Sequence, residues 1–385
     1  MFFGGLIMNK FLITLATLVA FSLSGLAYAQ EDTKVKVGGL MQRIAGMGDN
    51  VDGGLTEVFT RFVIGTSTTV DNGWTVGGSM SIQTAAATGG AAAPSTNSMY
   101  IQTDMMTVNI GNTVGALTSL IPAASAVVPG GGVDAGYQFN YDNGNQATQG
   151  VTLREAYYAM SNAKIDIDLP AVNGFTVGLT YTPSQEFGPT VQARQQAETT
   201  ASHGETIEAA FQYSGELEGL SYVVGLGIIT GNSQTINAGS ANLTVNNDLN
   251  AVSGGLKVTM GNLLLAVGGF DNGDSYGAST DAIQSAHSGY SLNAVWNMGN
   301  ISAGIGYHHQ EFTRGTAGQA AATTLTGADA GNVHEDNFTT VGIGYDMGGG
   351  VSTYIQLSTN EHSDGDLATT EVNPQVLFAG ISLGF

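Results

Sequence analysis

From about residue 34 to the end, apolar and polar positions alternate with period two, in runs of roughly eight to twelve residues. In "FTVGLTYT", Phe175, Val177, Leu179 and Tyr181 share one face, against Thr176, Gly178, Thr180 and Thr182. "WTVGGSMSI", "YSLNAVWN", "ISAGIGYH" and "VSTYIQLS" repeat the pattern from Trp74, Tyr290, Ile301 and Val351. Each run predicts a strand with two unlike faces. The connections alternate too. Short ones, such as "DNG" at 71–73, "AVNG" at 171–174, "MGN" at 260–262 and "DMGGG" at 346–350, are rich in residues that tolerate positive φ. Long polar ones cover 85–98, 113–150, 183–203, 231–248, 272–287, 313–334 and 361–372. Tight turns at one end and long loops at the other predict an all-β, antiparallel up-and-down meander. Its strands, about sixteen, start near 34, 55, 73, 98, 106, 160, 174, 204, 219, 249, 262, 288, 300, 335, 350 and 373.

An open sheet of that size would expose its edges, so closure is expected. A soluble sandwich would pack the apolar faces together; a membrane barrel would turn them to lipid and keep a polar lumen. Three features favour the barrel. Aromatic residues Trp74, Phe175, Tyr213, Tyr222, Trp296 and Tyr345 sit beside the tight turns, where an interfacial girdle belongs. Lys164, Asp166, Asp168, Glu208 and Lys257 all fall on polar faces. The N-terminus, "MNKFLITLATLVAFSLSGLAYAQ", has a basic residue, an apolar stretch and an Ala27–x–Ala29 site. It reads as a signal peptide over 1–29, cleaved before Gln30, leaving 30–385 as the exported barrel. No later run is long and apolar enough for a membrane helix.

Composition agrees with this picture and removes some functions. Only 11% of residues are charged, and there are 56 Gly, 7 Pro and no Cys. The 31 acids outnumber 10 Lys and Arg, of which Lys10 belongs to the leader. So acidic a chain is not expected to take nucleic acid as a partner. "DNGDS" at 271–275 and "HSDGD" at 362–366 lack the spacing of a calcium loop, and His308 and His309 point to opposite faces, so no metal or other cofactor is expected.

Two stretches add a resemblance. "YIQTDMMTVNIGNTVGA" (100–116) and "KIDIDLPAVNGFTVGLTYTP" (164–183) resemble the fourth to seventh strands of Gram-negative general-diffusion porins, nearest the alphaproteobacterial ones. The resemblance implies a trimeric sixteen-stranded barrel in the outer membrane, in contact with lipid and lipopolysaccharide. Its third loop, here about 113–150, would fold into the lumen as a constriction. In such porins acidic loop residues face basic wall residues across the eyelet. The candidates here are Asp134 and Asp142 on the loop, and Arg61 and Arg154 on the wall, with Lys164, Asp166 and Lys257 as further pore-lining residues. Arg43 is a weaker candidate: it shares parity with Val35, Val37 and Met41, so only a β-bulge or an upper-rim position would make it lumenal. The loop carries "VVPGGGVDAG" in place of the enterobacterial Pro-Glu-Phe-Gly-Gly signature. The C-terminal "VLFAGISLGF", with Ile381, Leu383 and Phe385 on one face, resembles the signal read by the barrel assembly machinery.

The expected function is therefore a passive channel for small hydrophilic solutes and ions, preferring cations because acids predominate. A barrel protease or lipase, or a surface adhesin, is the alternative.

Overall fold

The computed structural model describes residues 33–48, 51–85, 93–132, 162–184, 202–234, 237–238, 241–242, 247–275, 283–314, 333–364 and 375–385. The leader and the candidates Asp134, Asp142 and Arg154 lie outside the described residues.

Strands β1 (Lys34–Gly48), β2 (Val51–Thr69), β3 (Thr75–Ala85), β4 (Ala93–Gln102), β5 (Thr107–Thr113), β6 (Asn162–Asp168), β7 (Phe175–Ser184), β8 (Ser202–Leu217) and β9 (Leu220–Gln234) form the first part of a closed antiparallel barrel. It continues with β12 (Leu249–Met260), β13 (Leu263–Gly273), β14 (Ile283–Met298), β15 (Ile301–Arg314), β16 (Val333–Gly348), β17 (Val351–Asp364) and β18 (Gln375–Gly384). The two-residue strands β10 (Asn237–Ala238) and β11 (Ala241–Asn242) make a separate ribbon. Sixteen strands thus close the barrel, each paired with its neighbour in sequence. Among the described residues no helix is long and apolar enough to cross a membrane.

Alternation of side chains sorts the two surfaces. On β18, Val376 and Phe378 are buried inside, whereas Leu377, Ile381 and Leu383 are exposed outside. Val177, Leu179, Leu226, Ile228, Ile343 and Ile355 extend the apolar outer surface. The seam is made by β18 on β1, from Leu40 opposite Gly384 to Gly48 opposite Val376. One further rung holds the last residue: Gly39 N donates to Phe385 O (2.8 Å) and Phe385 N to Gly39 O (3.1 Å). The barrel then has no open edge strand, which hydrocarbon requires.

The tight turns follow from their sequences. Asn173 and Gly174 both have positive φ (50° and 87°), the two-residue hairpin geometry that Asn-Gly favours. Glu218 and Gly219 adopt the same pair of conformations (48° and 83°), although Glu has no such preference. The predicted starts fall close to the observed ones at the turn ends. At the opposite end, β2 begins at 51, β4 at 93 and β14 at 283, several residues early. Those extra rungs, such as "IQSAH" at 283–287, lack apolar alternation, so hydrophobic period alone does not reveal them.

Candidate functional site

Inside the barrel, the chain leaving β5 does not continue up the wall. Residues 114–132, "VGALTSLIPAASAVVPGGG", run along the inner surface and include the short helix α1 (Ala116–Leu120). Ala116, Leu117, Leu120 and Ile121 pack on Ala210, Ile229, Leu249 and Ala251, an apolar patch on the inner wall. The lumenal face is therefore not uniformly polar, as simple alternation would make it. Burial of these aliphatic side chains is worth about 1.5–3 kcal/mol each for the larger ones, enough to hold the loop to the wall.

Polar groups fix the loop's position. The first N–H groups of a helix lack internal partners, and Gly115, which precedes α1, offers no side chain to cap them. Wall residues do so instead: Ala116 N donates to Thr180 Oγ1 (2.7 Å) and Leu117 N to Glu208 Oε2 (3.1 Å). Thr180 Oγ1 donates on to Asp166 Oδ1 (2.7 Å), and Asn109 Nδ2 donates to Asp166 Oδ2 (3.2 Å). Lys164 Nζ lies 3.5 Å from Glu208 Oε1, with both side chains almost fully buried. At the other end of α1, Gln212 Nε2 donates to Leu120 O (2.7 Å). Farther along, Gln356 grips Gly132 twice: its Nε2 donates to Gly132 O (2.9 Å), and Gly132 N donates to its Oε1 (3.1 Å).

The bed beneath this segment is glycine. A Cβ on Gly178 would stand 2.9 Å from Ala116 Cβ and Leu120 Cδ1, and one on Gly304 would stand 3.2 Å from Pro129 Cδ. A Cβ on Gly225, Gly255 or Gly342 would meet the loop backbone more closely still, at Leu120 O, Pro122 O and Pro129 O respectively. Glycine inside a strand is unfavourable except where another backbone approaches closely, as here. The residues the segment exposes, Val114, Ser119, Ala123 and Ala126, are all neutral.

The sequence candidates separate accordingly. Lys164 and Asp166 lie on the inner wall, but 3% and 2% exposed beneath the loop, where they anchor it rather than border open water. Lys257 is half-buried on the inward parity of β12, two residues from Gly255. Arg61 is also half-buried, on the inward parity of β2, opposite Leu40 and Gln83. Arg43 is a correction. It lines a depression of about 690 Å³ on the outer wall, with Ala45, Ile343, Ile355, Leu377 and Ile381. A register shift does occur beside it, between Gln42 and Arg43 in the β1–β2 pairing. The β1–β18 pairing runs through the same position without a break, so the irregularity belongs to β2 and leaves Arg43 facing outward.

On the outside, Phe175 and Tyr213 stack at 4.3 Å, and Tyr213 meets Tyr222 at 5.7 Å. Trp74, Trp296 and Tyr345 are exposed on the same turn-side end of their strands, and Phe385 joins them through an edge contact with Phe62 (5.8 Å). Toward the other end is a group the sequence reading missed. Tyr290 meets Tyr307 at 6.2 Å and His309 at 5.2 Å, while Tyr307 Oη donates to Asn337 Oδ1 (2.6 Å). The signal was present in the shared parity of Tyr307 and His309. His308, on the opposite face, is fully buried against Ser291 Oγ (2.7 Å from Nδ1).

A family model described as Gram-negative porin matches residues 14–365. No curated protein matches the chain. Among solved structures, the anion-selective porin from Comamonas acidovorans superposes with a TM-score of 0.59 at 15% identity, covering 92% of this chain and 100% of that one. The trimer form of OmpT, an outer membrane protein of Vibrio cholerae, gives 0.60 at 12% identity, with 92% and 100% covered. A mutant porin of Rh. blastica gives 0.56 at 13% identity, with 91% and 100% covered. At these identities the likeness speaks for the fold, and the family model, spanning most of the sequence, for the lineage. A closed sixteen-stranded barrel with an apolar outer wall and an inward-folded loop is what such a match leads one to find, and the chain belongs to the Gram-negative porin family of the outer membrane.

Proposed function

We propose that this porin is a passive channel for small hydrophilic solutes and ions, preferring cations, and that it works as a homotrimer in contact with outer-membrane lipid and lipopolysaccharide. The observation that carries the reading is the inward course of residues 114–132 along one wall, which narrows the lumen without a catalytic group on its exposed side. Cation preference rests on charge. Apart from the proposed leader, 31 acids face 9 bases, once Lys10 is removed from the 10, so the mouths carry a negative potential. The described part of the loop is neutral and adds no charge of its own. The neighbour from Comamonas acidovorans is described as anion-selective, so the fold accommodates selectivity of either sign. The homotrimer rests on the trimeric Vibrio cholerae structure.

An enzymatic reading has one point in its favour, the Ser291–His308 contact. Both residues are 0% exposed, so no substrate reaches that hydroxyl. Planar-bilayer recording tests the proposal. Stepwise openings in groups of three, with a reversal potential in a salt gradient that favours cations, are the expected result. Absence of conductance from folded protein would remove the channel reading, and a reversal potential of the other sign would remove cation preference.

Export through the 1–29 leader, and recognition of Ile381, Leu383 and Phe385 by the barrel assembly machinery, complete the proposal. Deleting Phe385 removes the final rung on Gly39 and is expected to lower surface levels while leaving export intact. Unchanged surface levels would show that the terminal Phe is not part of the signal.

A further inference from the structure

The loop is held at two places of different character, and the far one offers a way to adjust the channel. Near α1, the anchor combines an apolar patch with buried ionic groups. At the far end, residues 128–132 depend on one side chain and on missing ones. Gln356, fully buried, makes its two hydrogen bonds with Gly132 and a third to Ser358 Oγ (2.9 Å). The turn it grips, Gly130–Gly132, has φ of 98°, 94° and 59°, a sequence of left-handed conformations that stiff side chains resist. Directly across, the Pro129 carbonyl occupies the space a Cβ on Gly342 would need, while Val128 Cγ1 would stand 3.1 Å from that Cβ.

We propose that Gly342 and Gln356 are positioning residues that set the bore of the channel from opposite directions. Gly342 lets the Pro129 backbone lie flat on the wall, and Gln356 keeps it there by clasping Gly132. A methyl group at position 342 has no vacant space beside the wall, so the loop must move toward the lumen. Loss of the Gln356 amide removes both bonds to Gly132, and the far end loses that polar hold on the wall. Neither residue borders the solute path, so each acts through the loop. The inference rests on the proposed channel reading, because a bore has meaning only if the lumen conducts.

The test compares unitary conductance and liposome entry of neutral sugars of graded size, using full-length wild type, Gly342→Ala and Gln356→Ala. Gly342→Ala is expected to lower conductance and to lose permeation by the largest sugar that wild type admits. Gln356→Ala is expected to raise open-channel noise and admit a larger sugar. Gly65→Ala serves as control, since it adds a methyl to β2 whose nearest neighbour among the described residues is Gly78 O, 3.9 Å away; its permeation should match wild type. Should Gly342→Ala fail to fold, Gly304→Ala applies a milder push, on Pro129 Cδ at 3.2 Å as well as on the wall atoms Val295 Cγ2 at 3.0 Å and Ala294 O at 3.1 Å. A silent wild type would overturn the channel reading itself. A conducting wild type whose folded variants share its size limit and noise would overturn the roles of Gly342 and Gln356 alone. So would a Gly65→Ala that narrows the pore as much as Gly342→Ala, since it would show a general response of the barrel.

Discussion

The two sides of the lumen are built from the same alternating strands yet do opposite things with their polar residues. On the side of β6–β9, Lys164, Asp166, Thr180 and Glu208 point inward and are buried beneath α1, their bonding capacity turned to the loop. On the side of β1–β3, Arg61 points inward from a half-buried position. An inward charge therefore has no fixed role in such a barrel. What residues 114–132 cover becomes an anchor, and what they leave uncovered remains available to shape the field along the path.

The largest expected contrast comes from removing one base on each side. Lys164→Ala leaves the Glu208 carboxylate buried without its cation and is expected to cost about 3–5 kcal/mol of stability. Arg61→Ala, outside the buried anchor, is expected to change stability by less than about 1 kcal/mol. Its effect should instead be electrical, a reversal potential shifted further toward cations. Denaturant unfolding in lipid or detergent, together with bilayer recording on both variants, checks the pair. Equal loss of stability from the two would erase the distinction between the walls.

A smaller effect concerns the hairpin between β8 and β9, on the covered side. Glu218 sits at φ 48° in a turn that Asn adopts with less strain. Glu218→Asn is expected to raise stability by about 0.5–1 kcal/mol without altering conductance. A changed conductance would mean that the covered wall transmits turn geometry to the loop, contrary to the anchoring described above.

How much of this was readable beforehand differs between outside and inside. Strand starts at the tight turns were legible because period two and positive-φ residues coincide there, as at Asn173–Gly174 beside Phe175. The closure of β18 on β1 was legible from a C-terminus that keeps its alternation up to Phe385. The bed of the loop was not. Gly225, Gly255 and Gly342 lie on three different strands and acquire their common purpose only when the barrel brings Pro122 and Pro129 against them. Parity placed Lys164 and Asp166 inward, but nothing local reveals that a loop fifty residues earlier covers them. Arg43 shows the limit of invoking a bulge: the irregularity exists at its rung, yet on the neighbouring strand, so its own parity stands.

Residues 116–132 are proposed to narrow a water-filled barrel. A variant in which a short Gly-Ser link replaces that stretch, with barrel folding verified by heat-modifiable migration, tests it through single-channel conductance. Conductance well above wild type, with entry of larger neutral sugars, is the expected result. A folded variant with wild-type conductance and size limit would contradict it.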